Sequence, residues 1–316
     1  MKWIVGLSAI AVVVGAAATA TIPAATITPD PAILKFFPSE TQGIASIDVA
    51  ALRNAALVKD VLGSFRPAID GNLPEFMVAT GLVPQRDVDR VTVGKISPRE
   101  TLAVIEARYD RFKAEQFAKD KGLEPQAYLG RTVFAFDVQR GPTYDISAVT
   151  FLDNLIIAGQ AGAVKKAIDQ LSLPGSQPLR SELMDAIRTI EAGSQVWAVG
   201  DFSVGELPAG LRGPAPALEL LKSLRSGTYQ LRVDQDVHAR GTGNFENTDS
   251  ANTLTDMARG LIALAKLQVA QNPDLLHLLD GVAVRSSGAS VIVNIDEPGD
   301  LLKKLKDLRL DRSPAQ

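Results

Sequence analysis

The chain has 316 residues, enough for two domains that each bury a sizeable core. Its 33 Lys plus Arg against 36 Asp plus Glu leave a formal net charge of −3, so nothing draws it generally to nucleic acid or to an anionic membrane surface. It has no cysteine, which excludes thiol catalysis, thiolate metal sites, disulfides and an acylated lipoprotein cysteine together.

The N-terminal stretch carries Lys2 and then no charge until Asp30. Trp3 to Val14 has the length of a signal-peptide hydrophobic region, and A-x-A patterns end at Ala18 and Ala20. Residues 1–20 therefore read as an export signal. An uncleaved anchor is the alternative, because the uncharged run from Trp3 to Pro29 is just long enough to span a bilayer; a buried core helix is a third. Either of the first two places the bulk of the chain outside the cytoplasm, periplasmic or extracellular. Pro23, Pro29, Pro31 and Pro38 predict an extended linker over residues 21–39.

A first module is expected over 40–171. Gly43 to Ala50 alternates like a half-buried strand, and Ala51 to Phe65 follows as an amphipathic helix. Two strand-like runs, Val88 to Ile96 and Thr101 to Asp110, precede a helix from Arg111 that Gly122 closes. "YLGRTVFAFD" and "YDISAVTFLDNLIIAG" read as strands, and Ala161 to Leu171 as a helix. Leu171 to Arg180, with two prolines and a glycine, marks a boundary. A second module over 181–310 repeats the order: a strand from Ser194 to Phe202, a helix from Pro216 to Arg225, and strands "TYQLRVDQ" and "VHARGTGNFE". A long helix from Asp249 to Gln271, a hairpin turning at Ser-Ser-Gly and a closing helix complete it. Both modules read β-α-β-β-α-β-β-α. This is an α+β fold of two duplicated modules, with mostly antiparallel sheets and helices packed on one face.

Gly241 and Gly243 in "RGTGNFENTDSANT" invite comparison with a phosphate loop. They lie inside a strand pattern, well before the helix, and no Gly-Lys-Ser/Thr follows. Thr248 or Asp249 is the expected helix cap. "LLKKLKDLRL" reads as a helix with a solvated basic face.

No nucleophile elbow, zinc-protease or calcium-loop pattern is present, and no catalytic residue or cofactor site is assigned. Asp234, Asp236 and His238 would share one face of a straight strand and there could hold a divalent metal; a hairpin turn is the competing reading. Asp87 and Asp89 read as solvated loop charges. Asp48 and Asp201 end the matching first strands of the two modules, where they either line a cleft or cap the next turn. Trp197 reads as core, with a ligand platform as the alternative. Asp48, Trp197 and Asp201 are thus the candidate ligand surface.

Three strings, "FPSETQGIASIDVAALRNAALVKDVL", "FMVATGLVPQRDVDRVTVGK" and "FLDNLIIAGQAGAVKKAID", carry a resemblance. The shared motifs are D-x-A-A-L-R, G-x-x-P-x-R-D-x-D-x-V and a S/T-F-L-D-(D/N) hairpin before an A-x-K/R-x-A-I-D helix. With these, and with "GSQVWAVG", "SANTLTDMARGLIALAK" and "VAVRSSGASVIVNI", the chain resembles a group of bacterial exported proteins of unknown function over most of Pro38 to Leu305. The resemblance implies export and a two-module α+β fold, and brings no catalytic residue.

The expected function is a non-enzymatic, envelope-associated or otherwise extracytoplasmic binding protein, with a helix-free sheet face turned to a protein partner. Two alternatives stand beside it. One is a carrier of a small apolar ligand, held by the stripe Leu254, Met257, Ala258, Leu261, Leu264 and Ala265, which Gln268 ends. The other is a hydrolase using acids such as Asp48 and Asp201. Membrane contact is expected only through an uncleaved N-terminus.

Overall fold

A computed structural model describes residues 31–58, 73–140, 143–172, 179–202 and 219–310. The signal or anchor, and the first part of the linker, lie outside these. The chain is a mixed α+β protein with antiparallel strand pairing. It divides into two compact units. Of the described residues, one holds 31–53 and 73–187 and the other 54–58 and 188–310.

The first unit opens with α1 (Pro31–Leu34), β1 (Gly43–Asp48) and α2 (Val49–Asn54). Helices α3 (Leu73–Thr80) and α4 (Pro84–Asp87) lead into β2 (Val88–Lys95) and β3 (Thr101–Ala107). Helix α5 (Arg111–Asp120) then precedes β4 (Pro125–Tyr128), β5 (Arg131–Arg140), β6 (Thr143–Phe151) and β7 (Leu155–Gln160). Helices α6 (Ala161–Ser172) and α7 (Ser181–Arg188) follow. The strands lie in the order β1-β2-β3-β7-β6-β5-β4.

Three features depart from the sequence reading. Residues 31–38, expected as linker, are folded, with Phe36 and Phe37 in the core. The prolines permit this because Pro31 opens its helix, where a missing N–H costs nothing. "YLGRTVFAFD" is a hairpin, because Leu129 and Gly130 both take positive φ (46° and 75°) and reverse the chain. "YDISAVTFLDNLIIAG" is a second hairpin, so four strands stand where two were read.

Both faces of this sheet are covered. On one face Phe76, Phe117, Phe134 and Phe151 form an aromatic cluster with Ile105 and Ile156. The Phe76 ring stacks on Phe151 at 6.2 Å and meets Phe117 edge-on at 5.5 Å. Ile157 is buried as fully as its neighbours Ile156 and Ala158, yet alternation points it to the other face. Helix α6, which buries Ala163, Val164, Ala167 and Ile168 and contacts β3, β6 and β7, covers that side. Helices on one face therefore does not hold here. The sign is in the strands themselves, where "LAVIEA" and "LIIAG" are near-continuous apolar runs.

The second unit contains β8 (Val196–Asp201), β9 (Leu224–Val233) and β10 (Asp236–Phe245). Helices α8 (Thr248–Gln268) and α9 (Pro273–Asp280) follow, then β11 (Val282–Ser287), β12 (Ser290–Pro298) and α10 (Gly299–Leu310). The strands lie in the order β11-β12-β10-β9-β8. Asn247 caps α8, its side chain accepting from the Ser250 N–H at 2.8 Å; the cap falls one residue before the expected Thr248. Phe245, Ala251, Val284 and Val291 form the core between α8 and the sheet, with Leu254, Ala258 and Ile262 packed on it. Helices α8, α9 and α10 all pack on β10, β11 or β12. On the opposite face Trp197, Val199 and Ile292 are buried, while Arg232, His238 and Arg240 are partly exposed.

Glu297 sits under this helix layer, 4% exposed, with neither carboxylate oxygen hydrogen-bonded. Burial pushes its pKa up to about 6, His277 opposing that shift and Asp296 adding to it. A raised carboxyl pKa means that the folded state holds the proton more tightly. This group's effect therefore turns against folding as pH rises from about 4.5 towards 6.

Two predictions follow from this packing. Phe151→Ala should cost about 3–5 kcal/mol in urea unfolding, whereas Ile146→Ala, on the same strand but 59% exposed, should cost little. Glu297→Gln should raise the thermal midpoint at pH 7.5 by about 2–4 °C and flatten the pH dependence between about 4.5 and 6; an unchanged pH profile would remove Glu297 from the account.

Candidate functional site

The face of the second unit's sheet turned away from α8, α9 and α10 follows from alternation. Phe245, Ala239 and Val237 turn to the helices, so His238, Arg240, Thr242 and Asn244 turn away. Register places the neighbours. His238 lies opposite Arg232 on β9 and Asp296 on β12; Arg240 lies opposite Gln230 and Asn294. Six polar side chains thus form a grid three strands wide and two rows deep, with spacings of ~4.8 Å across strands and ~6.8 Å along them.

This grid floors a polar cleft of about 190 Å³, with Glu191 and Ser194 on its rim. Its charges are paired across elements. The His238 Nδ1 is 2.7 Å from an Asp296 carboxylate oxygen, and Nε2 is 3.8 Å from Asp234. Arg232 Nε lies 3.2 Å from Asp234, an ion-pair distance without the angle of a hydrogen bond. Arg240 Nη1 lies 3.5 Å from Glu191, both side chains about half exposed. Gln230 is only 8% exposed; its Oε1 accepts from the Glu191 N–H at 2.9 Å. The Ser194 hydroxyl donates to the Glu191 carbonyl at 2.8 Å, fixing the rim.

The three residues read as a metal candidate are separated by a turn. Asp234 follows the end of β9, and Asp236 begins β10. Asp236 accepts from the Gly299 N–H at 3.2 Å, at the start of α10. His238 instead meets Asp296, from a strand that sequence spacing could not bring to it. Among the described residues no group of three or more His, Asp or Glu is arranged to hold a metal ion.

The remaining candidates are dispersed. Asp48 is buried in the first unit, accepting from the Ala51 N–H at 2.6 Å and from Arg90 at 3.1 Å, which is the work of a cap. Asp201 is half-buried at the end of β8, opposite Ser226. Trp197 is 5% exposed and pairs with Gln230, one strand along the upper row of the grid. Asp87 is not a solvated charge. It is buried and gripped by Arg86 at 2.7 Å and by the Val83 N–H at 2.8 Å, and the Arg86 contact holds its pKa down at about 2. Asp89 pairs with Arg53 at 3.1 Å and with Arg108.

Gln230, Arg232, Arg240, Asn294 and Asp296 were missed in the sequence. The signal was there in weak form: "TYQLRV" and "VHARGTGN" each alternate polar with apolar or small residues. What was lacking was the register that sets the two hairpins side by side. No protein-family model, curated protein or solved structure matches the chain.

Proposed function

We propose that this chain is an exported, non-enzymatic binding protein of the bacterial envelope, and that it binds through the cleft-bearing sheet face of its second unit. One observation carries the reading: a cleft of about 190 Å³ on the sheet face away from α8, α9 and α10, lined by polar side chains from three strands. The signal-like N-terminus and the resemblance to exported proteins support the location. Each unit runs from a hairpin through a helix to further antiparallel strands, four in the first and two in the second, and then a helix, a partial likeness that supports an origin by duplication. A hydrolase working through Asp48 draws no support, since that carboxylate already meets Ala51 and Arg90.

A carrier of an apolar ligand has its own observation. Leu261 and Leu264 of the expected stripe are 46% and 58% exposed, so its far half is not core, and Leu267 beside it is 75% exposed. Among the described residues no helix is long and apolar enough to cross a membrane, so these leucines do not mark a span.

Native mass spectrometry of the chain recovered from its own compartment separates the readings. A small adduct that Arg240→Gln removes and Leu264→Ser leaves in place is the expected result. An adduct with the opposite dependence would make the protein an apolar carrier, and a bare chain would argue against small-ligand binding altogether.

A further inference from the structure

We propose that the cleft takes a small zwitterion of the amino-acid type, with its carboxylate between Arg232 and Arg240 and its ammonium on Asp296 and Glu191. The inference rests on the reading of this face as the binding surface, and names the chemistry of what binds there.

Size sets the first limit. At about 190 Å³ the cleft falls below the ~300–1,000 Å³ of pockets for drug-sized ligands, which restricts the occupant to something near one amino acid. Charge sets the second. The lining carries two permanent cations, Arg232 and Arg240, and two carboxylates, Glu191 and Asp296, so an occupant of zero net charge leaves the balance undisturbed.

The resident ion pairs decide between a zwitterion and a simple anion. Arg240 and Glu191 stand 3.5 Å apart and half exposed, a loose pair of the kind that contributes little. An anion entering between them would pair with Arg240 and leave Glu191 facing a like charge without a partner. A zwitterion re-pairs both sides, exchanging one weak contact for two charge-assisted ones. Arg232 and Arg240 lie diagonally across adjacent strands, so their guanidinium groups can converge on one carboxylate. Asp296, beyond His238 on the next strand, is placed for the other end.

Gln230 adds a neutral donor to the cleft. It lies in the floor, 8% exposed; its oxygen is committed to the Glu191 N–H, and its Nε2 has no hydrogen bond among the described residues. A ligand carboxylate between the two arginines would give that amide an acceptor in place of solvent.

The test uses three probes on the full chain: L-serine, 3-hydroxypropanoate, which lacks the ammonium, and ethanolamine, which lacks the carboxylate. Binding is followed by calorimetry and by the His238 ring signals in NMR. L-serine should bind and shift those signals, with each single-charge analogue at least about tenfold weaker. Arg240→Gln should weaken L-serine, and Asp296→Asn, which leaves both arginines in place, should do so as well. Equal binding of 3-hydroxypropanoate and L-serine would overturn the zwitterion in favour of an anion site. If no probe binds while the native chain still carries an adduct that Arg240→Gln removes, this inference fails and the binding reading stands. If the native chain also comes bare, both fail.

Discussion

The second unit depends on one constraint: an antiparallel strand turns alternate side chains to opposite sides, and α8, α9 and α10 pack on only one of them. Most of what is apolar in β9, β10 and β12 is thereby committed to the helix side, as with Leu231, Val233, Val237 and Val291, while Ile292 is buried on the other. Most of the residues between them are polar and, Gln230 apart, at least partly exposed. They include Gln230, Arg232, His238, Arg240, Asn294 and Asp296, polar groups that register brings to within one or two strand spacings of each other. The cleft needs no loop or insertion to form it. It is the outer face of a sheet, made concave at the rim by the Glu191–Ser194 turn.

The first unit meets the same constraint differently. Its strands β3 and β7 are apolar on consecutive residues, and helices lie on both sides. The chemistry left to it is structural. Arg53, Asp89 and Arg108 form one ion-pair set, and Lys166 bridges Glu40 and Glu100 at 3.1 and 3.0 Å. Tyr109, whose pKa is raised by burial, donates to the Leu155 carbonyl at 2.9 Å and so ties the β6–β7 hairpin to the start of α5.

The strands and helices were legible wherever the pattern was strong. Gly122 closes its helix with φ of 79°, as a C-terminal glycine should, and Gly241 and Gly243 lie in a strand as their spacing implied. Failures came where a single residue or a distant partner decides. Leu129 in a left-handed conformation turned one expected strand into two, which no propensity signals for leucine. Asp296 reaches His238 from 58 residues away, and Asp236, placed beside His238 by spacing, is held at the start of α10. The site was therefore half visible. His238 and Trp197 could be singled out by type, but the arginines looked like ordinary solvated charges until the register was known.

A polar cleft on one side and exposed leucines on the other give the second unit two chemically opposite surfaces. Which of them is used in the cell is the central question. Hydroxyl-radical footprinting, comparing the protein in its native compartment with the purified chain, addresses it directly. This account predicts that His238 is protected in the native compartment while Leu261, Leu264 and Leu267 react equally in both. Protection confined to those leucines would contradict it.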